Sequence, residues 1–227
     1  MRKLKFLNTL AVLIGLIWSF SSVSQVKNCN LSSINEELAK RKEAEQSIRK
    51  EVIPAVQEHN KTGKGILKVI RLANKMNKID EDNQKYLDKL IGKCGWDDNL
   101  NAESHRTIFL IIDHGDKDFI NRYIDLVKVK AEAGVLESDD YPTVLDRKLM
   151  YDDKPQLFGT QTFSYIDDNG DNNYVWPIAD PDNLKARRDS VGLPTMEEYF
   201  RIAMEEFNIK MVWDKSLTIE KALEMNN

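Results

Sequence analysis

Pro155 divides this 227-residue chain into two textures, and the smaller of them constrains the fold. After it, Leu157, Phe158, Thr160, Thr162, Phe163, Tyr165 and Ile166 are strand formers. Asp168-Asn169-Gly170-Asp171 reads as a hairpin turn, and Tyr174, Val175, Trp176 and Ile178 make the return strand. A two-stranded hairpin is marginal in water by itself. One spanning about residues 156–178 must therefore lie against something else, and the rest of the chain offers helices.

From Ser33 to about His59 charged residues dominate, but Ile34, Leu38, Ile48, Val52, Ala55 and Val56 leave an apolar stripe that suits an amphipathic helix. Ser33 with Glu36 forms a capping-box start, and Pro54 is expected to kink or restart the helix near Ile53. Glu43, Glu45, Arg49, Lys50 and Glu51 read as its solvated face, with Gln46 and Arg49 also assigned to the surface. Ile66 to Met76 gives a second helix, and Asp80 is expected to cap a third that ends at Gly92 or Gly95. The apolar run Thr107–Ile112 is assigned to helix because helical patterns flank it. Asp116 caps the next helix, which Gly134 ends. Residues 139–151 form another, with Asp146 and Arg147 on the flanks of its apolar stripe. Beyond the hairpin, Asp180-Pro181 opens a short helix carrying Arg187 and Arg188, and Thr195 starts one through about Phe207. Met211–Trp213 suggests one more strand, and a last short helix begins at Thr218. The expected class is mainly α (α+β): a helical domain with an inserted β-hairpin.

The first residues bear on location. Arg2, Lys3 and Lys5 precede an apolar run from Phe6 to Phe20, and small residues at Ser22 and Ser24 place a cleavage point before Gln25. This is the pattern of a secretory signal peptide, over residues 1–24, leaving one domain at residues 25–227. Removing three basic residues and no acids moves the formal charge from −4 to −7. An exported, mildly acidic protein without a general nucleic-acid footprint is expected, and without a stable membrane span after cleavage. Export permits a disulfide between Cys29 and Cys94. Sequence alone leaves that pairing open against a free Cys29 and a buried Cys94.

No catalytic signature is present. Thr62-Gly63-Lys64-Gly65 lacks the upstream glycine and strand of a phosphate loop. His59, His105 and His114 are too scattered for a zinc pattern. Asp167-x-Asn169-x-Asp171 resembles half a calcium loop, but its glycine is misplaced and Ile178 stands where the closing Glu belongs. No metal or cofactor is implied. What remains is a polar set. His114 at a helix end and Asp146 are the candidate catalytic residues, and Arg147, Gln156, Gln161, Arg187 and Arg188 are the candidate ligand-binding residues. Imidazole moves protons near neutral pH, guanidinium forks hold carboxylates or phosphates, and amides fix orientation. Two functions fit: a binding module for a small polar or anionic ligand or a protein partner, and a hydrolase-like or transferase-like enzyme using His114 as general acid/base. A purely structural envelope role is the third.

The run Gln156-Leu157-Phe158-Gly159-Thr160-Gln161 follows Asp146-Arg147. It precedes Pro177-Ile178-Ala179-Asp180-Pro181 and Arg187-Arg188-x-x-Val191-Gly192-Leu193-Pro194. Together with Gly95-Trp96 and Asp113-His114-Gly115-Asp116 it resembles the bacterial domain of unknown function numbered 6624, over roughly residues 36–200. The resemblance implies no activity, but it makes a shared polar pocket more plausible than scattered surface charges. Two positions depart from that pattern. Asp113 stands where the resemblance expects glutamine, and Phe158 where it expects tyrosine.

Overall fold

The computed structural model describes residues 29–167 and 170–226. The segment expected to be a signal peptide, its expected cleavage point before Gln25, and two central residues of the hairpin turn, Asp168 and Asn169, lie outside the described residues. Eight α-helices are described: α1 Leu31–Thr62, α2 Ile66–Cys94, α3 Ala102–Asp113, α4 Lys117–Glu132, α5 Asp140–Tyr151, α6 Leu184–Ser190, α7 Met196–Phe207 and α8 Ile219–Asn226. Strands β1 Thr162–Asp167 and β2 Gly170–Val175 form the expected antiparallel hairpin, with Phe163 opposite Tyr174. Met211–Val212 adds β3, parallel to β2, as the third strand of one sheet. The architecture is helical with an inserted hairpin, and no helix among the described residues is long and apolar enough to cross a membrane.

Several boundaries move. Helix α1 starts at Leu31, capped by the Asn30 side chain on the Ser33 amide, so Ser33 is a first-turn residue rather than a cap. It runs for 32 residues straight through Pro54. Pro54 sits on the exposed outer face, while Val52 and Ala55 hold the inner face against Leu72. Asp80 does not cap a helix. It lies inside the 29-residue α2, its carboxylate turned across to Arg49 of α1 instead of back to its own amides. Residues 157–160 are not strand but a turn wrapped around Asp146.

The largest core packs α1 to α5 through Leu38, Leu87, Ile108, Ile112, Val127 and Val144. Further along the α1–α2 pair, Ile48, Val52, Ala55 and Leu72 form a separate apolar cluster. The hairpin is covered on both faces, which is how it escapes the fate of an isolated hairpin. Phe163 and Trp176 pack on Ala222 of α8, and Val175 packs with Leu184 of α6 and Met196 of α7. Cys29 and Cys94 are bridged, with Cα atoms 6.0 Å apart, pinning the start of α1 to the end of α2.

Candidate functional site

The polar candidates fall into two arrays joined at the neighbours Asp146 and Arg147. The first is a framework around the 156–161 loop. Asp146 is fully buried and accepts from the Leu157 amide at 2.7 Å, the Phe158 and Thr160 amides at 3.1 Å and the Thr160 hydroxyl at 3.0 Å. Its side chain therefore fills an anion-binding nest made by its own chain. Burial pushes the Asp146 carboxyl up, and those donors pull it part of the way back. Gly159, with φ +71°, makes the turn possible, and a Cβ there would lie only 3.0 Å from Ile178 and 3.2 Å from Met196.

The other loop candidates are spent in the same way. Gln156 donates to the carbonyls of Gln161 and Trp176 and accepts from the Gln161 amide. The Gln161 amide group donates to the Thr143 carbonyl and the Thr160 hydroxyl. Arg187 donates to the carbonyls of Leu157, Ala179 and Asp180. Arg188, 1% exposed, donates to those of Phe158, Gly159 and Pro194, with its guanidinium over the Tyr199 ring. These residues hold the backbone of the hairpin entry, and their donors do not converge on open space.

The second array is a layer of charge between the two apolar clusters of the α1–α2 pair. Its centre is Glu45, 2% exposed, whose Oε1 stands 2.6 Å from His114 Nδ1 and 2.8 Å from Arg49 Nη1. Gln46 donates to the other Glu45 oxygen at 2.5 Å. Arg49 reaches on to both oxygens of Asp80 at 3.1 Å. On the other side of the imidazole, His114 Nε2 is 3.8 Å from Asp113, which takes a two-pronged bond from Arg147 at 3.0 Å on each prong. His114 and Arg147 thus share one face of the fold, bridged by Asp113. In place of the glutamine of the resembling pattern, Asp113 turns what would be a neutral contact into an ion pair.

The electrostatics follow from the geometry. Burial pushes the Glu45 carboxyl up, but the His114 contact, the Arg49 charge and the Gln46 amide outweigh it and hold Glu45 below the usual glutamate value. For Asp80 the balance reverses, and burial raises it in spite of Arg49. Burial opposes the Arg147 charge, yet Asp113 and the Tyr151 hydroxyl hold its pKa up. The Glu45 Oε1 atom lies 2.6 Å from Nδ1, close enough for an ion pair but without hydrogen-bond geometry, so the carboxylate backs the ring while Nε2 faces Asp113. The His114 side chain is 22% exposed, so the ring is supported from inside and reachable from outside.

Of this array, only His114 and Arg147 stand out in the sequence as site candidates. Glu45, Arg49 and Asp80 were assigned to a solvated face or a helix cap, and the structure corrects all three. A signal for Glu45 did exist. It lies seven residues after Leu38 and three before Ile48, in step with the buried stripe that continues to Val52 and Ala55. The Gly95-Trp96 pair is structural: Gly95 ends α2, and the buried Trp96 indole donates to His105 Nδ1 at 2.8 Å. Among the described residues no group of three or more His, Cys, Asp and Glu side chains is placed to hold a metal ion.

The family described as "Family of unknown function (DUF6624)" matches residues 32–212, and the chain belongs to that family. The match runs from the first turn of α1 to the end of β3, and so takes in both polar arrays and stops short of α8. Comparison with curated proteins and with solved structures returns no match.

Proposed function

We propose that in this member of the family His114 performs general acid–base chemistry on a small polar substrate, in a hydrolase-like or transferase-like reaction. The observation that carries the reading is the buried Glu45 carboxylate 2.6 Å behind a partly open imidazole. A carboxylate in that place backs the ring from inside the fold, the kind of support a positioned general acid–base group needs. Arg147, presented by Asp113 at the same surface, supplies positive charge for an anionic group of the substrate or for charge developing during reaction. The alternative, a module that only binds a polar or anionic ligand, draws less support. Four of its five proposed donors, Gln156, Gln161, Arg187 and Arg188, are committed to the protein's own backbone. Asp146 on this reading is a positioning residue that holds the loop beside Arg147.

A thermal-shift screen of polar metabolites and cell-wall fragments identifies compounds that raise the melting temperature by linkage, and turnover of each is then assayed. Glu45→Gln and His114→Gln are expected to retain binding and to lose turnover by about 100-fold or more. Turnover that survives His114→Gln sinks the reading.

Export is part of the same proposal: a leader over residues 1–24, cleaved before Gln25, delivers one domain to the periplasm or medium. The Cys29–Cys94 bridge supports it, because such bonds persist in oxidising compartments. Mass spectrometry of the exported protein should find a chain beginning at Gln25, and a chain that retains Met1 would contradict it.

A further inference from the structure

We propose that the cleft between α6, the start of α7 and the chain just after β3 binds a small organic cation against Trp213, with Lys215 occupying that place when no ligand is bound. The cleft encloses about 330 Å³, at the lower end of the range for small-molecule sites. Its floor is apolar and firmly held, since Leu184 and Met196 are both buried in the cluster that backs the hairpin and Trp213 packs against them. The charges around the floor differ in how far they are already used. Arg188 spends its donors on three carbonyls, and Lys185 is paired with Asp189 at 2.6 Å. Asp182, in contrast, forms no ion pair or hydrogen bond among the described residues. The Glu197 carboxylate, in the first turn of α7, is held low by bonds to its own backbone and to Thr195, with Lys215 adding to the effect.

The decisive contact is Lys215 itself. Its ammonium lies 4.9 Å from the centroid of the Trp213 ring. An indole face is the best side-chain surface for a cation, and aromatic recognition of ammonium groups works through this attraction. The side chain of Lys215 is exposed and flexible, and so is displaceable. An ammonium ligand with an apolar body would take the place of Lys215 on the ring, lay its body on Leu184 and Met196, and face the unpaired Asp182. Trp213 and Lys215 lie beyond residue 212, where the family match ends, so the cleft is completed by residues outside the shared region. The inference does not depend on the acid–base reading of His114, which uses none of these side chains.

The test uses the full exported chain with choline as probe and 3,3-dimethylbutan-1-ol as its neutral isostere, read as Kd by ligand-observed NMR. Choline should bind and the isostere should not. Lys215→Ala should tighten choline by about fivefold, and Trp213→Leu should weaken it by about fivefold or more with or without Lys215. Lys185→Ala removes an equal charge from the rim without uncovering the indole, and should leave the Kd nearly unchanged. Lys215 is exposed, so Lys215→Ala folds irrespective of the fate of Trp213→Leu. Four results overturn the proposal: no choline binding, equal binding of choline and its isostere, equal gains from Lys215→Ala and Lys185→Ala, or tighter binding of benzoate than of choline.

Discussion

Replacing Asp146 with alanine asks whether the loop wrapped around its carboxylate holds the fold together. The carboxylate is fully buried and receives three backbone amides and one hydroxyl. Alanine leaves all four donors without their acceptor. The Thr160 hydroxyl can rotate to another partner, so the loss concentrates on the amides of Leu157, Phe158 and Thr160. Because those residues are only partly buried, water relieves some of the deficit, and a loss near the low end of the usual range, about 1 kcal/mol per amide, is appropriate. The expected total is about 3 kcal/mol, or about 9 °C in melting temperature for a domain of this size. Asp146→Asn keeps one acceptor oxygen and should lose about half as much. Urea denaturation followed by circular dichroism measures the stability, and hydrogen exchange at residues 157–160 shows whether the loss is local to the turn. A change under about 0.5 kcal/mol, the size expected of a surface substitution, would refute the reasoning. So would unchanged exchange at those amides.

Three further perturbations test other parts of the structure. Replacing both Cys29 and Cys94 with alanine opens a loop of sequence separation 65 and should lower stability by about 4 kcal/mol on the chain-entropy account, measured by denaturation with and without reductant. Asp140 is pushed up to about 6 by burial, against the opposing pull of Arg106 and the Glu137 amide. The native state therefore keeps a proton that the unfolded chain releases near pH 4, so stability is greatest at low pH and falls as pH rises through about 6. Across that window the Asp140 contribution should fall by about 3 kcal/mol, and Asp140→Asn should flatten the profile between those limits. Arg188→Ala orphans the carbonyls of Phe158 and Pro194 and should lower stability by about 3 kcal/mol, with Arg188→Met recovering the part that comes from burial of the aliphatic stem.

The fold was legible where apolar periodicity and turn chemistry agree. The strand formers from Thr162 to Ile166, the Thr195 cap and the Asp116 cap all point to elements that exist. Residues whose burial comes from something other than an apolar stripe were not legible. Asp146 sits on the flank of α5 by helical angle, yet it is buried because the loop after Pro155 folds over that flank, and no local pattern encodes a covering loop. Asp80 offers an ordinary capping side chain, and only the position of Arg49 on another helix, 31 residues away, turns it inward. Glu45 is the opposite case: its place in the stripe was readable, but charge weighed more than position. The candidate donors Arg187 and Arg188 were chosen for their chemistry, and sequence does not reveal that backbone carbonyls would claim them first.

The layer of Glu45, Arg49 and Asp80 also bears on how the two longest helices find their alignment. Each helix carries apolar residues on both sides of the layer, toward Leu38 and Leu87 in one direction and toward Ile48 and Leu72 in the other. With an unbroken greasy seam, only the Cys29–Cys94 bridge and the short connection at 63–65 would resist a slip of α1 along α2 by a turn. With charges set into the seam, such a slip would drive Glu45 or Asp80 into hydrocarbon without a partner, which is far more costly than the apolar contacts it would exchange. The charged layer thus acts as a register mark, in the way a lone polar residue fixes the alignment of a coiled coil. The same ion pairs that hold His114 in place specify which turn of α1 faces which turn of α2.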